Sequence, residues 1–318
     1  MPPLATDIEE AARRIAPHVR RTPVEASPFL SRAAGAEVFL KLENFQITGS
    51  FKARGALHKL TTLDEDARRR GVVTASSGNH GAAVAYGAGR LGVAAQVFVP
   101  TVAASTKVGV IESYGARVER FGDDCVITEA HARAQADAQG QVYISPYNDP
   151  DVMAGQGTIG AELLEQLTSL DAVFVSMGGG GLVGGLGSYL KARLPGVEVV
   201  AVSPAQSPAM HACLAAGEIL DVPCYDTLSD GTAGGVEAGA ITFEVCRRVI
   251  DRSLLVDEAA IAEAMRRTLE HQRMLMEGAA GVAVAGFLQV ASEYAGKRVA
   301  IVICGANIGI EKLRGVLS

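Results

Sequence analysis

The chain has 318 residues, of which 48% are hydrophobic and 20% charged, a balance that suits one large or two closely joined globular domains. The formal charge is −6 and no basic block occurs, which excludes a nucleic acid or an anionic membrane as the main partner. The chain shows no secretory signal and no apolar run long enough to cross a bilayer. Its five scattered cysteines predict neither a disulfide framework nor a zinc site, so we expect a cytoplasmic protein.

Helix-like and strand-like segments alternate along the whole chain. The first helix is expected to begin at Thr6, where Thr6 to Glu9 has the spacing of a capping box. Strands are predicted at residues 37–42, 72–75, 95–100, 118–121, 142–145, 172–177, 197–203, 253–256 and 299–304. These strands are continuous apolar runs, which are typical of parallel sheets buried on both faces. The pattern predicts the doubly wound α/β class.

The predicted strands are too many for one comfortable sheet, so we expect two lobes. The smaller lobe is placed at residues 66–148. The larger lobe is placed in the flanking segments, residues 1–65 and 149–318.

Four consecutive glycines, Gly178, Gly179, Gly180 and Gly181, join a predicted strand to a helix. Main-chain N–H groups converge at such a junction and favour a phosphate. A dinucleotide fingerprint would need an acidic residue at the end of the next strand, which instead ends at Ser203. Close packing without a ligand is the other alternative, but four glycines carry a high entropic cost. A small monophosphate cofactor is favoured.

Lys52 stands just after Ser50, which is expected to cap the N-terminus of a helix. The positive end of the helix dipole would then lower the pKa of Lys52 and favour the neutral amine that a Schiff base requires. A solvated surface lysine remains the alternative for this residue by itself.

A second polar loop, Ser76-Ser77-Gly78-Asn79-His80-Gly81, also follows a predicted strand and opens a helix. Its hydroxyl and N–H groups would suit a carboxylate. Ordinary helix capping is an equal alternative, and His80 by itself indicates a loop or packing residue.

Six segments together resemble the fold-type-II pyridoxal-phosphate enzymes, in the branch of threonine dehydratases, serine dehydratases and serine racemases. The segments are residues 50–56, 76–81, 154–158, 178–181, 277–281 and 303–307. They span almost the whole chain in the order that this family shows. The resemblance implies two parallel or mixed sheets in a tryptophan synthase β-like fold, with pyridoxal 5′-phosphate as the cofactor.

The resemblance also implies a role for each matching residue. Lys52 would hold the cofactor as a Schiff base, and Phe51 would pack near its ring. Asn79 would hydrogen-bond the ring oxygen, and Gly178 to Gly181 would bind the phosphate. Cys304 would face the pyridine nitrogen, although a buried apolar cysteine is its alternative reading.

Ser76, Ser77, Asn79 and His80 would hold the substrate carboxylate. In racemase relatives the position of Ser77 supplies the proton donor on the opposite face, so Lys52 and Ser77 are the candidate catalytic residues. No metal is expected at the relatives' cation site, because Ser203 and Ala209 replace its two carboxylates. With no segment after Ser318, feedback inhibition at a dedicated regulatory domain is not expected.

The implied function is β-elimination from a β-hydroxy amino acid such as L-threonine or L-serine, giving a 2-oxo acid and ammonia. Alternatives are an amino-acid racemase, a dehydratase of a bulkier substrate of the phenylserine or hydroxyaspartate type, a nicotinamide-dependent oxidoreductase and a non-catalytic binding protein. The family implies a homodimer or homotetramer.

Overall fold

The computed structural model describes residues 3–318 and contains two separate sheets. The strands of the described residues are β1 (Val24–Ala26), β2 (Glu37–Lys41), β3 (Val72–Ala75), β4 (Ala95–Val99), β5 (Arg117–Arg120), β6 (Val142–Tyr143), β7 (Ala172–Ser176), β8 (Glu198–Pro204), β9 (Arg252–Val256) and β10 (Arg298–Val302). The larger sheet has the order β1-β2-β10-β7-β8-β9, and the smaller sheet has the order β5-β4-β3-β6. All pairs are parallel except β1 with β2.

Helices connect the strands, as a parallel sheet requires. They are α1 (Ala5–Ile15), α2 (Pro28–Ala34), α3 (Lys52–Thr62), α4 (Glu65–Arg70), α5 (Asn79–Leu91), α6 (Ser105–Ser113), α7 (Cys125–Gln139), α8 (Pro150–Gln166), α9 (Gly181–Arg193), α10 (Ala209–Ala216), α11 (Ile241–Val249), α12 (Glu258–Gln272), α13 (Gly278–Gln289) and α14 (Ile310–Leu317). Short 3₁₀ turns lie at Glu43–Phe45, Asp230–Thr232 and Ala291–Tyr294.

The α/β class with parallel and mixed sheets is confirmed, and each predicted strand lies within two residues of its expected bounds. Strand β1 was not predicted, because its three residues, one half-buried and two exposed, carry no apolar run. Strands β3 to β6 fall inside residues 66–148 and the others outside. The exact lobe boundaries stay a prediction.

The expected capping box at Thr6 is wrong. Helix α1 begins at Ala5, and the Asp7 carboxylate accepts a hydrogen bond from the Leu4 main-chain N–H at 2.9 Å. The acidic side chain therefore reaches back to Leu4, two residues before the cap that the sequence pattern indicated.

Both faces of the smaller sheet are covered by helices. Val97 packs with Ala85 of α5 on one face, while Val73 and Phe98 pack with Ala132 of α7 on the other. The larger sheet carries the main core, in which every residue of β7 is buried. Burial on both faces explains why these strands read as continuous apolar runs.

Helix α8 holds two other helices at close range through glycine contacts. A Cβ on Gly155 would lie 2.6 Å from the Arg54 carbonyl oxygen and from the Gly55 Cα, both in α3. A Cβ on Gly157 would lie 2.9 Å from the Gly185 carbonyl oxygen in α9. Helices α3 and α9 are thus both fixed against α8, and these are the helices that begin at Lys52 and at the glycine run.

A buried cluster of charged side chains also packs against the start of α3. The Arg54 guanidinium pairs with Glu43 at 2.8 Å and with Glu162 at 2.7 Å, and Lys41 also pairs with Glu162. Burial opposes ionisation of Glu162, but Arg54 and Lys41 together hold its pKa below the usual value. Two positive and two negative charges balance, so no uncompensated charge is buried there.

Candidate active site

The predicted site residues come from loops at the carboxyl ends of three strands. Ser76 follows β3, Met177 and the glycine run follow β7, and Cys304 follows β10. In open parallel sheets, ligands bind at this edge.

Lys52 lies in the first turn of α3, as expected, but Ser50 is not the cap of this helix. Phe51 occupies the N-cap position, while Ser50 forms an antiparallel bridge with Gly305. The Phe51 N–H donates to the Cys304 carbonyl oxygen at 3.0 Å. The lysine segment is therefore anchored to the extension of β10, which places it beside Cys304.

The Lys52 amine donates a hydrogen bond to the Pro146 carbonyl oxygen at 2.7 Å and lies 5.2 Å from the centre of the Phe51 ring. Burial lowers the pKa of Lys52 to about 8, opposed in part by Cys304 and Glu277. A neutral amine is therefore accessible near physiological pH. The sequence prediction of a lowered pKa agrees in direction, but desolvation is its main cause.

Each glycine of the run lies against a neighbouring residue. A Cβ would lie 2.8 Å from the Thr232 Cα at Gly178, 2.5 Å from the Tyr147 ring at Gly179, and 2.6 Å from the Cys246 sulfur at Gly180. At Gly181 it would lie 2.9 Å from the Tyr147 Cα. Gly180 also has a left-handed φ of 87° as the N-cap of α9. Side chains are excluded here, which exposes the helix N–H groups to a ligand.

The loop between β6 and α8 contacts both the lysine and the glycine run. Pro146 accepts from Lys52, and the next residue, Tyr147, covers Gly179 and Gly181. The Tyr147 hydroxyl accepts from the Glu237 N–H at 3.0 Å. Nothing in the sequence indicated these contacts of Tyr147, because Gly179 and Gly181 lie more than thirty positions away.

At the polar loop between β3 and α5, neither a serine nor an asparagine occupies the cap position of the helix. Gly78 is the N-cap of α5, and the Ser76 hydroxyl accepts from the Gly78 N–H at 3.2 Å. Ser76, Ser77 and Asn79 are each partly accessible. Their polar groups are thus available at the start of a helix, where an anion is favoured.

His80 is buried, and its Nε2 donates to the Ile144 carbonyl oxygen at 3.0 Å. Burial, with a further effect of the Lys52 charge, lowers its pKa to about 3. The side chain is therefore a neutral imidazole that faces the protein interior.

The Cys304 thiol is buried, and the Ser176 hydroxyl lies 3.5 Å from its sulfur. Burial, together with the Glu277 charge, raises the pKa of this thiol well above its usual value. Cys304 is therefore neutral.

Asn79 contacts two residues that were noted in the sequence without a role. Its Nδ2 donates to both Glu277 oxygens, at 2.8 and 3.0 Å, and its Oδ1 accepts from Asn307 Nδ2 at 2.7 Å. Gly231 joins this group to the glycine run, because its neighbour Thr232 packs on Gly178.

A family model described as "Pyridoxal-phosphate dependent enzyme" matches residues 15–305. The chain belongs to this family. Its cofactor is therefore pyridoxal phosphate, and the nicotinamide alternative falls away.

Two curated relatives and one solved structure illustrate the similarity. The L-threonine ammonia-lyase of Thermotoga maritima is 40% identical over 314 residues, covering 98% of this chain and 77% of the relative. The beta-hydroxyaspartate dehydratase of Paracoccus denitrificans is 35% identical over 312 residues, covering 98% of both. The serine racemase structure from Dictyostelium discoideum has a TM-score of 0.91 at 34% identity, covering 97% of this chain and 99% of that one.

The residues present fit pyridoxal phosphate. A Cβ at any glycine of the run would overlap Thr232, Tyr147 or Cys246, so the run presents only main-chain groups, and the buried Ser50 Oγ has no hydrogen-bond partner among the described residues. The lysine amine and a neutral thiol are available on the same side of the larger sheet. Both chemical ends of the cofactor, the phosphate and the aldehyde, thus have a suitable group.

Metal ligands are not assembled in the described part of the chain: no group of three or more His, Cys, Asp or Glu side chains could hold an ion there. The Ser203 hydroxyl donates to the Met177 carbonyl oxygen at 2.8 Å, and Ala209 begins α10. None of the helices within residues 3–318 is both long and apolar enough to cross a membrane.

Proposed function

We propose that this protein is an ammonia-lyase that removes the β-hydroxyl and the amino group of a β-hydroxy amino acid, such as L-threonine or L-serine. The products are a 2-oxo acid and ammonia. The observation that carries the proposal is the main-chain hydrogen bond from Phe51 to Cys304, because it holds the lysine segment beside a neutral thiol.

Lys52 would hold the cofactor covalently through Nζ, and the N–H groups of Gly178 to Gly181 would bind its phosphate. Phe51 would pack beside the ring, and an Asn79 N–H would donate to the ring oxygen. When bound, pyridoxal phosphate supplies a sink for the electrons released at the substrate α-carbon.

After substrate binding, the freed Lys52 amine would accept the α-proton. Its lowered pKa favours the neutral form that this step requires. Cys304 would present a neutral thiol to the pyridine nitrogen, and a thiol donates only weakly. A sink of moderate strength suits elimination, because the departing β-hydroxyl removes the electrons quickly.

The substrate carboxylate would bind at the start of α5. Ser76 and Ser77 would contribute hydroxyl groups, while Asn79 and His80 would contribute main-chain N–H groups. The His80 side chain is engaged with Ile144, so its imidazole is not part of this proposal.

Racemisation is the second candidate activity, and the partly accessible Ser77 hydroxyl supports it. Ser77 would donate a proton on the face opposite Lys52. Chiral analysis of recovered substrate measures this activity directly, and a Ser77→Ala variant would lose it while keeping elimination.

The proposal leaves the size of the substrate side chain open, so it includes β-hydroxy amino acids that are bulkier than L-threonine. We further propose a cytoplasmic homodimer or homotetramer. The free state of all five cysteines within the described residues supports a reducing compartment.

The experiment is to load the protein with pyridoxal phosphate and follow 2-oxo acid release from L-threonine and L-serine. Lys52→Ala should abolish both the visible absorbance of the bound cofactor and the activity. Lys59→Ala, on the same helix but paired with Asp149 and Asp151, should keep both. A coloured wild-type protein that releases no oxo acid from any β-hydroxy amino acid would refute the proposal.

A further inference from the structure

Glu277 is a buried carboxylate at the N-cap of α13, and all of its hydrogen bonds are accepted from donors. Asn79 Nδ2 donates to both of its oxygens, and the main-chain N–H of Asn307 donates to Oε2 at 3.1 Å. A carboxylate that meets only donors serves as an acceptor throughout. The mechanism proposed above leaves this group without a role.

The carbonyl oxygen of the Asn79 amide faces a hydrogen-bond donor. Asn307 Nδ2 donates to Asn79 Oδ1 at 2.7 Å and also to the Thr48 carbonyl oxygen at 2.8 Å. An amide placed between an acceptor and a donor can satisfy both in only one orientation. An amide nitrogen carries two hydrogens, so one can serve the Glu277 carboxylate while the other is left for a ligand.

The surrounding backbone leaves room for the carboxylate. A Cβ on Gly305 would lie 2.5 Å from Glu277 Oε1, and a Cβ on Gly231 would lie 3.4 Å from the same atom. The Glu277 N–H also donates to the Gly305 carbonyl oxygen at 3.0 Å. The carboxylate is therefore enclosed by main chain on two sides, which restricts where it can move.

We propose that Glu277 and Asn307 are positioning residues that hold the Asn79 amide with an N–H, and not its carbonyl oxygen, available to the cofactor. The inference rests on the proposed function, in which Asn79 contacts the ring oxygen. A negatively charged ring oxygen accepts a hydrogen bond from an amide N–H, whereas a flipped amide would place two oxygens together.

The experiments that test this proposal should be done above pH 8, where Glu277 is ionised. Burial raises the pKa of Glu277 to about 7; Asn79 and Asn307 lower it, Asp230 raises it and Lys107 lowers it. Lys52 and Cys304 also face this charge.

The test is Glu277→Gln, which keeps the size of the side chain but replaces one acceptor with an NH₂ group. Cofactor affinity is measured by absorbance titration of the cofactor-free protein, and the visible spectrum is recorded on the loaded protein. We expect a cofactor dissociation constant about tenfold higher, the scale of one lost hydrogen bond, and a shifted visible band.

The matched control is Glu258→Gln, whose carboxylate accepts from Thr227 Oγ1 and the Leu228 N–H, both at 2.7 Å. It loses a comparable anchor outside the Asn79 contacts, so it should keep the wild-type affinity and spectrum. Asn307→Ala is the second variant. It removes the donor to Asn79 Oδ1 while its main-chain N–H remains, and it should change both readouts in the same direction as Glu277→Gln.

A folded Glu277→Gln protein with reduced thermal stability but unchanged affinity and spectrum would overturn the inference, because that result describes a structural role only. If Glu277→Gln does not fold, Asn307→Ala decides by the same readouts. A wild-type protein that binds no pyridoxal phosphate would instead refute the proposed function.

Discussion

Replacing Gly155 with alanine tests whether α8 sets the position of the lysine helix. The new Cβ would lie 2.6 Å from the Arg54 carbonyl oxygen and the Gly55 Cα, where ordinary contact begins at 3.4 Å. Both neighbours are main-chain atoms, so no side-chain rotation relieves the overlap. Helices α3 and α8 must then separate by about 0.8 Å, the difference between those two distances.

The overlap should cost about 1–3 kcal/mol, offset by about 1 kcal/mol because alanine favours a helix over glycine. Lys52 is the first residue of α3, so the separation also moves its amine relative to the glycine run. A displacement approaching 1 Å can lower catalysis on the order of a hundredfold. We expect kcat to fall about 10- to 100-fold with only a moderate loss of stability.

The assay combines denaturant unfolding with steady-state oxo-acid release on the loaded protein. Gly109→Ala is the matched control, because Gly109 also lies within a helix, α6, with open space around its Cβ position. It should gain about 0.5–1 kcal/mol and keep its activity. A Gly155→Ala protein that behaves like this control would refute the idea that close contact between α3 and α8 places Lys52.

Three further predictions concern charge and hydrogen bonding. Glu162→Gln leaves Arg54 with one buried anionic partner fewer, so the free energy of unfolding should fall by about 3–5 kcal/mol; an unchanged urea midpoint would contradict this. Burial lowers the pKa of Lys52 from its ordinary value of 10.5 to about 8 in the folded protein, so the unfolded chain binds more protons between these pH values. In the cofactor-free state, the free energy of unfolding of the wild type should therefore rise from pH 8 to 10.5 relative to that of Lys52→Met, by up to about 3 kcal/mol. Parallel curves of stability against pH for the two proteins would refute this prediction. Tyr147→Phe removes the acceptor for the Glu237 N–H and should cost about 0.5–1.5 kcal/mol while cofactor binding persists; loss of binding would show that the hydroxyl and not the ring matters.

The strands of this protein were readable from the sequence because burial on both faces leaves uninterrupted apolar runs. Strand β1 lacked that pattern: two of its three residues are exposed and its pairing with β2 is antiparallel. The start of α3 was misjudged for a related reason. Ser50 has the residue type of a cap, but a bridge to Gly305, which is distant in sequence, takes its place in the structure.

The chemistry proposed for the site was suggested by short motifs, since the glycine run and Lys52 each carry their reactive groups within a few residues. The residues that surround these two groups in space could not be predicted in this way. Glu277 is 198 residues from Asn79, and Asn307 is 228 residues away, so no local spacing reveals that the three side chains meet.

Periodicity by itself determined the α/β class, and short motifs indicated the glycine run and Lys52 that the proposal assigns to the cofactor, because each depends on neighbours along the chain. Only the tertiary structure decided the protonation states and the orientation of the polar groups. Burial, and not the helix dipole, is the main cause of the lowered Lys52 pKa, and two distant side chains set the Asn79 amide. Desolvation and hydrogen-bond partners depend on what packs nearby in space, and that information appears only once the chain has folded.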